Sequence, residues 1–240
     1  STRAKPRKPS TSWQNIISTP LSLALSLRER VLQSSKYIVS IVGMGNIGRM
    51  KKRLAVFASG RGSNFEAIVS ACESGRIAAQ VVLLVCDHPS AEVVARAKAH
   101  HIDCFAFSPK DYASKADYEQ AISLLLEQSG VELICLVGYM RLLSEAFVNR
   151  YPERIINIHP SLLPAFKGAH AIEQAFEYGV KIYGVTIHYV DATMDGGKII
   201  SQQAVPYEGQ DIAELEAMLH ALEHELYINT INKLIAEQKI

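Results

Sequence analysis

From Leu54 onward, the chain alternates between continuous apolar runs and segments with helical periodicity. Strands that are buried on both faces of a parallel sheet have unbroken apolar sequences. The alternation therefore predicts an α/β fold, an open and mostly parallel twisted sheet with helices on both faces. The strand-like runs are LAVFAS (54–59), VVLLVC (81–86), CFAF (104–107), ELICLVG (132–138) and RIINIH (154–159). The helical patterns lie at about 64–74, 90–101, 114–129 and 144–150.

Two later strand-like segments, 182–190 and 198–206, are joined by a polar turn that contains glycine. They predict an antiparallel extension of the sheet near the C-terminus. A long helical pattern from about 211 to 237 follows them. We therefore predict one catalytic domain over residues 51–240, preceded by a separate extension over residues 1–50.

The N-terminal extension is basic, with eight Lys/Arg and one acidic residue among residues 1–50. Its first 36 residues are rich in Ser, Thr, Arg, Lys and Pro. Such a composition is typical of a disordered segment, and also of an organellar transit peptide. A third interpretation is a segment that lies upstream of a native start at Met50. We expect the extension to be disordered and to have no catalytic role.

The extension also contains Gly43-Met44-Gly45-Asn46-Ile47-Gly48, which has the G-x-G-x-x-G spacing of a dinucleotide-binding loop. In that motif the last glycines open a helix whose N-terminus faces the pyrophosphate. Only Arg49-Met50-Lys51-Lys52 separates Gly48 from the next strand, which we expect at 53–59, and this leaves no room for the helix. We therefore expect this motif not to bind a dinucleotide.

The composition excludes several classes of function. Residues 51–240 carry 17 basic and 23 acidic residues, and this acidic balance argues against nucleic-acid binding along a broad surface. No apolar run approaches the roughly 18 residues needed to cross a bilayer, so we expect a soluble protein without membrane contact. Four scattered cysteines are expected to be reduced core residues. His220 and His224 have the i, i+4 spacing of half a metal site, but no second pair accompanies them, and we predict no metal.

Three polar segments fall where we expect the carboxyl ends of strands, the edge at which open α/β sheets bind ligands. The first is Gly60-Arg61-Gly62-Ser63-Asn64, between the first strand and the first helix. Its glycines allow backbone N–H groups to converge, Ser63 and Asn64 can cap the helix, and the helix dipole favours an anion. The segment predicts either a phosphate site or an ordinary tight turn with an N-cap.

The second segment begins with Asn157-Ile158-His159-Pro160. Asn157 and His159 are two residues apart on a strand, so their side chains lie on the same face. An amide beside an imidazole suits acyl transfer, because Asn can stabilise a developing oxyanion and His can move protons. The alternative is a polar strand end that is hydrogen-bonded to a neighbouring loop.

The third segment, 191–197, contains Asp195 before a pair of glycines, between the last two strands. An Asp in this turn can orient the histidine and support its charged form. The alternative is plain turn chemistry, because Asp-Gly is a strong hairpin signal.

Taken together, the three segments resemble the phosphoribosylglycinamide formyltransferase family of folate-dependent enzymes. The resemblance runs from about residue 52 to the C-terminal helix. It is carried by FASGRGSNFEAIV, GYMRLLSEAFV, IINIHPSLLPAFKGAHAIEQAFEYG and GVTIHYVDATMDGG. It implies transfer of a formyl group from 10-formyltetrahydrofolate, a co-substrate, to the amine of glycinamide ribonucleotide in purine synthesis, with no metal.

The resemblance also implies which residues form the site. The catalytic trio is Asn157, His159 and Asp195. Ribonucleotide binding is expected at Gly62, Ser63, Asn64, His220 and Glu223. Folate binding is expected at Lys115, Met140, Arg141, Leu142, Leu143, Asn157, Asp191, Ala192, Thr193 and Met194.

Two other formyltransferase-type enzymes share this trio. Methionyl-tRNA formyltransferase carries an additional C-terminal domain, and formyltetrahydrofolate hydrolase carries an N-terminal regulatory domain. We expect neither domain here, and the loop at 60–64 favours a ribonucleotide acceptor. The expected partners are therefore small-molecule substrates, for a monomer or homodimer in the cytoplasm. An organellar location is the alternative if residues 1–49 form a transit peptide.

Overall fold

The structure, a computed structural model, describes residues 51–240. This part of the chain contains seven strands and six α-helices. The strands are β1 (Lys52–Phe57), β2 (Ala79–Cys86), β3 (Asp103–Ala106), β4 (Leu133–Leu136), β5 (Ile155–His159), β6 (Ile182–Tyr189) and β7 (Ile199–Pro206). The helices are α1 (Ser63–Glu73), α2 (Glu92–Ala99), α3 (Lys115–Gln128), α4 (Glu145–Arg150), α5 (Ala171–Tyr178) and α6 (Ile212–Ala236).

All seven strands form one sheet in the order β3-β2-β1-β4-β5-β6-β7. The strands β1 to β5 pair in parallel, whereas β6 pairs antiparallel with both β5 and β7. The predicted mostly parallel sheet with an antiparallel extension is confirmed. The carboxyl ends of β1, β2, β4 and β5 consequently meet at one edge, where the polar loops after them gather.

The middle of the sheet is dry because its strands carry apolar side chains on both faces. Leu54, Ala55, Val56 and Phe57 of β1 are all completely buried. A strand covered by helices on both sides requires such an unbroken apolar sequence. The unbroken apolar run at β1 is therefore explained by the central position of this strand in the sheet.

The longest helix, α6, anchors the sheet from one side. Tyr227 on this helix is completely buried, and its hydroxyl lies 3.3 Å from the carbonyl oxygen of Leu136 and 3.2 Å from that of Ile156. A buried hydroxyl requires a partner, and here one donor bridges two neighbouring strands. The contact holds β4 and β5 at a fixed spacing beneath the polar edge.

Two elements were not predicted from the sequence, namely α5 and a 3₁₀ turn at Pro109–Asp111. The helix α5 has eight residues and begins after His170, which has a left-handed backbone (φ 59°) and makes no side-chain cap. Histidine is not among the preferred N-cap residues, so the usual start signal is missing. Gly179, with φ 80°, ends the helix in the usual way. The other predicted elements are present, with ends that differ by no more than two residues.

Several predictions concern residues outside the described part of the chain. They are the disorder of the N-terminal extension, the transit-peptide alternative and the rejected glycine-rich motif at 43–48. Within residues 51–240, none of the helices combines the length and apolar character that a membrane span requires.

Candidate active site

The site begins with a pair of facing residues on adjacent strands. Asn157 of β5 is the register partner of His188 of β6. Directly opposed residues of an antiparallel pair project from the same face of the sheet. The Asn157 Nδ2 atom lies 3.3 Å from His188 Nε2, and the His188 ring is 2% exposed. The His188 end of this contact is therefore almost completely buried, whereas Asn157 is half-buried.

His159 lies two residues further along β5, on the same face as Asn157, as predicted. Its ring is 5% exposed. Its Nε2 atom lies 2.7 Å from the carbonyl oxygen of Phe166, so Nε2 donates the hydrogen to that carbonyl. The other ring nitrogen, Nδ1, faces the carboxylate of Asp195 at 3.5 Å. The hydrogen bond to the Phe166 carbonyl therefore leaves Nδ1 as the ring nitrogen of His159 that can exchange a proton.

Asp195 lies in the loop that joins β6 to β7, and this loop carries its carboxylate to His159. Because β6 is antiparallel, its last residue, Tyr189, pairs with Ile156 near the start of β5. Segment 191–197 therefore leaves β6 near the start of β5, although Asp195 reaches His159 at the carboxyl end of β5. The loop folds back over the strands. Gly197 permits this, because a Cβ there would lie 1.8 Å from the carbonyl oxygen of Tyr189.

The Asp195 carboxylate is surrounded by three partners. Its Oδ2 atom accepts a hydrogen bond from the backbone N–H of Gly168 at 2.8 Å and faces His159. Its Oδ1 atom lies 3.7 Å from His188 Nε2. The close His188 ring, the Gly168 N–H and the charge of His159 outweigh partial burial and lower the pKa of Asp195 to about 2. The carboxylate is therefore ionised at neutral pH.

Three contributors to this cluster were missed by sequence reasoning: the His188 ring, the carbonyl of Phe166 and the N–H of Gly168. Two of them are backbone groups, which leave no residue-type signal. His188 is visible in the sequence as an alternate residue of a predicted strand. Its importance follows from its register with Asn157, which a single sequence does not specify.

The loop after β1 forms a second polar cluster. Gly62 is the N-cap residue of α1, with φ 80° and no side-chain cap. The expected capping by Ser63 and Asn64 is wrong. The Asn64 amide instead donates a hydrogen bond to Glu223 Oε2 at 2.8 Å, across to α6. Within residues 51–240 its Oδ1 atom is buried without a hydrogen-bond partner.

Glu223 and His220 lie one turn apart on α6, and Glu223 accepts the hydrogen bond from Asn64 of the loop after β1. Glu223 is 6% exposed, and this burial raises the pKa of its carboxyl group, against the opposing effects of Asn64 and His220. His220 is exposed, whereas His224 turns inward with a buried Nε2 atom. Among the described residues, no group of three His, Cys, Asp or Glu is placed to hold a metal ion.

The loop after β4 contains four of the predicted folate-binding residues. Met140 and Leu142 are 75% and 61% exposed, while Leu143 is buried. Arg141 Nε lies 2.9 Å from Asp87 Oδ2, whose side chain is fully buried at the end of β2. Although burial opposes it, hydrogen bonding to Ser59, Arg141 and His88 lowers the pKa of Asp87. The buried carboxylate therefore holds one side of the Arg141 guanidinium.

Apart from Asn157 on β5, the remaining predicted folate-binding residues lie in the loop after β6 and on α3. The Asp191 carboxylate accepts hydrogen bonds from the Thr193 N–H at 2.8 Å and hydroxyl at 2.6 Å, and these lower its pKa. Ala192 and Met194 are exposed. Lys115 Nζ lies 3.8 Å from Glu119. Among residues 51–240, no hydrogen bond or ion pair joins this loop to the one at 140–143.

This arrangement combines three chemical capacities. The Asn157 amide is a hydrogen-bond donor, His159 is an imidazole that can exchange a proton, and Asp195 is an ionised carboxylate beside that imidazole. Such a set can stabilise a developing oxyanion and move protons during attack on a carbonyl carbon.

Comparison with known proteins gives consistent results. The family model described as formyl transferase matches residues 52–231. The phosphoribosylglycinamide formyltransferase of Bacillus subtilis (strain 168) is 52% identical over 185 residues, 77% of this chain and 95% of that protein. The human trifunctional purine biosynthetic protein adenosine-3 is 36% identical over 180 residues, 75% of this chain and 18% of that protein.

Solved structures give the same result for the fold. The crystal structure of phosphoribosylglycinamide formyltransferase from Bacillus halodurans has a TM-score of 0.75 and 47% identity, covering 78% of this chain and 97% of that one. Glycinamide ribonucleotide transformylase 1 from Geobacillus kaustophilus also has a TM-score of 0.75, with 50% identity and coverages of 77% and 98%.

Proposed function

The chain belongs to the formyl transferase family, and from this premise we propose that it transfers the formyl group of 10-formyltetrahydrofolate to the amine of 5-phosphoribosylglycinamide. The chain is an enzyme of formyl transfer in purine biosynthesis, as its relatives indicate. The observation that carries the proposal is the convergence of an amide, an imidazole and an ionised carboxylate at Asn157, His159 and Asp195.

The proposed reaction forms one bond to the formyl carbon and breaks another. The substrate amine attacks the formyl carbon, and the carbonyl oxygen becomes an oxyanion that accepts a hydrogen from the Asn157 amide. Collapse of the tetrahedral species breaks the bond to the folate nitrogen. One proton leaves the amine and one is added to the folate nitrogen, so the charge balances.

His159 and Asp195 carry the protons in this scheme. Because Nε2 of His159 is committed to the Phe166 carbonyl, Nδ1 is the nitrogen available for exchange. A proton held at Nδ1 lies beside the Asp195 carboxylate, 3.5 Å away, which stabilises the positive ring. Asp195 thus orients the imidazole and supports its charged form, either directly or through a water molecule.

The ribonucleotide is proposed to bind at the loop of Gly62, Ser63 and Asn64. The left-handed Gly62 precedes α1, whose first N–H groups and dipole favour a phosphate. The buried Oδ1 of Asn64 can accept a hydrogen bond from the ribonucleotide, and the nearby Glu223 carboxylate adds a second acceptor. The exposed imidazole of His220 supplies a further polar contact.

The folate is proposed to lie between the loops at 140–143 and 191–195. The exposed Met140, Leu142 and Met194 give apolar surface for a flat ring system. Lys115 and Arg141 provide positive charge for the glutamate tail. We further propose that the enzyme is cytoplasmic, acts on small molecules as a monomer or homodimer, and uses neither a metal nor a nucleic acid.

A spectrophotometric formyl-transfer assay with glycinamide ribonucleotide as acceptor tests the proposal. We expect acceptor-dependent loss of the formylfolate signal, reduced at least about 10²-fold in His159→Ala, because that variant lacks the proton carrier. Formate release without acceptor would identify a hydrolase instead. Formylation of an aminoacyl-tRNA but not of the ribonucleotide would refute the proposal that glycinamide ribonucleotide is the acceptor.

A further inference from the structure

We propose that His188 is a positioning residue that fixes the orientation of the Asn157 carboxamide and so keeps an N–H group available for the oxyanion. This inference rests on the proposed formyl transfer. Neither the sequence patterns nor the resemblance assigned His188 a role.

The carboxamide of Asn157 is nearly symmetric in shape. The oxygen and the NH₂ group of Asn157 are similar in size, so packing alone does not select between two orientations related by a half turn. Hydrogen bonding does select, because one end accepts and the other donates. Within residues 51–240, His188 is the hydrogen-bond partner of the Asn157 side chain.

The backbone determines which nitrogen of His188 is the acceptor. Its Nδ1 atom lies 2.8 Å from the carbonyl oxygen of Tyr189. A carbonyl oxygen only accepts, so Nδ1 carries the hydrogen and Nε2 of the neutral ring has the free lone pair. That lone pair faces Asn157 at 3.3 Å.

An acceptor in this position admits only one orientation of the amide. The NH₂ group of Asn157 faces His188, since the opposite orientation would set two lone pairs against each other. One hydrogen of Nδ2 is used by His188, and the second remains free to donate. The burial of the His188 ring excludes competing water, which strengthens the selection.

Without this acceptor, the amide can turn its oxygen toward the substrate. An oxygen there would repel the developing oxyanion, whereas an N–H group stabilises it. The neutral formyl oxygen of the bound folate gains less from that N–H group than the charged oxyanion does. The expected consequence is a loss in kcat with little change in KM.

His188 also lies 3.7 Å from Asp195 Oδ1, so a second mechanism must be separated from the first. A cationic His188 would act on Asp195 through its charge, and a neutral His188 acts on Asn157 as an acceptor. Gln at this position offers a neutral carbonyl acceptor at about the same reach as Nε2, but no charge. Leu has similar bulk and offers neither.

The test compares His188→Leu, His188→Gln and the parent enzyme in the formyl-transfer assay, with Tyr183→Phe as a control on the same strand. We expect kcat to fall about tenfold to a hundredfold in the Leu variant, a fraction of the effect of losing an oxyanion donor. We expect KM for both substrates to change less than about threefold. The Gln variant should recover most of the lost kcat, and the control should match the parent.

The outcomes distinguish the inference from the function on which it rests. If the parent does not transfer formyl groups, the proposed function itself fails. If the parent is active and the Leu variant keeps its kcat, the role of His188 is refuted. A Gln variant as slow as the Leu variant would refute the acceptor role and indicate a charge effect on Asp195. Equal losses in all three variants would indicate general damage to β6 and also refute it.

Discussion

Replacing Asp195 with Asn removes a charge while keeping the shape of the side chain. The carboxylate lies beside the two histidine rings and accepts a hydrogen bond from the Gly168 N–H. The Asn variant keeps an acceptor for Gly168 but loses the attraction of the positive ring of His159. We expect formyl transfer to fall at least about 10²-fold, because the proton carrier is neither oriented nor stabilised.

The same substitution should lower the free energy of unfolding, by an amount that follows from the pKa of Asp195. The pKa of Asp195 is lowered from 3.8 to about 2, and each unit corresponds to about 1.36 kcal/mol between the two protonation states. The side chain is only 12% exposed, so solvent screening is limited. The ionised carboxylate therefore stabilises the fold by about 2.5 kcal/mol relative to its neutral form. Asn mimics that neutral form, so we expect a loss of up to about this size, largest while the neighbouring histidine rings are charged.

The contribution of the Asp195 carboxylate to stability depends on pH. A carboxyl group whose pKa is lower in the folded state contributes stability that is complete above its ordinary pKa and disappears as the pH falls through the folded value. The difference between the parent and Asp195→Asn should therefore be present while the carboxylate is ionised and shrink between about pH 4 and 2.

Urea unfolding of both proteins at several pH values measures this difference. The matched control is Asp103→Asn, at the exposed start of β3, which should change neither stability nor activity. Equal unfolding free energies at pH 7 would refute the electrostatic argument. Near-normal turnover would refute the role of Asp195 in the reaction.

Three further predictions concern the loop after β1 and the surface of α1. Asn64→Ala should chiefly raise the KM for the ribonucleotide, because it removes the contact with α6; an effect confined to the folate KM would mean that the two pockets are exchanged. Gly62→Ala should destabilise the fold by about 1–3 kcal/mol, because φ is 80° and a Cβ would lie 2.5 Å from Cγ2 of Val93. Thermal unfolding measures this loss, and an unchanged melting temperature would contradict it. His100 bridges Glu66 and Glu73 at 2.9 Å each, which raises its pKa. Stability from this bridge is present below the ordinary histidine pKa and lost as the pH rises through the folded value. Unfolding midpoints of the parent should therefore fall more over that range than those of His100→Gln, and parallel curves would refute the bridge.

Local signals in the sequence were sufficient for the architecture. Unbroken apolar runs specify strands that are buried on both faces, and alternation with helical patterns leaves a parallel sheet as the solution. The strand position of Asn157 and His159 placed both side chains on one face, because the side-chain period of a strand is two. The family pattern then added Asp195, which the structure brings within 3.5 Å of the histidine ring.

The sequence was a weaker guide wherever a residue's partner is distant in the chain. Ser63 and Asn64 have the composition of a helix cap, yet Asn64 is directed to Glu223, 159 residues away. The helix α5 starts without a capping residue, so its existence depends on packing of Ala171, Ile172 and Ala175. Both differences arise because tertiary contacts outweigh local propensities of less than about 1 kcal/mol.

The apolar and polar patterns of the chain were enough to predict the fold class, and with the family resemblance they pointed to the amide, imidazole and carboxylate as candidates. How these groups are held depends on contacts between distant parts of the chain. The register of β5 against β6 sets His188 opposite Asn157, the folded-back loop carries Asp195 to His159, and the carbonyl of Phe166 selects the free nitrogen of that ring. The physical reason is that strand register and backbone hydrogen bonds depend on the whole sheet and are not encoded in any single residue type.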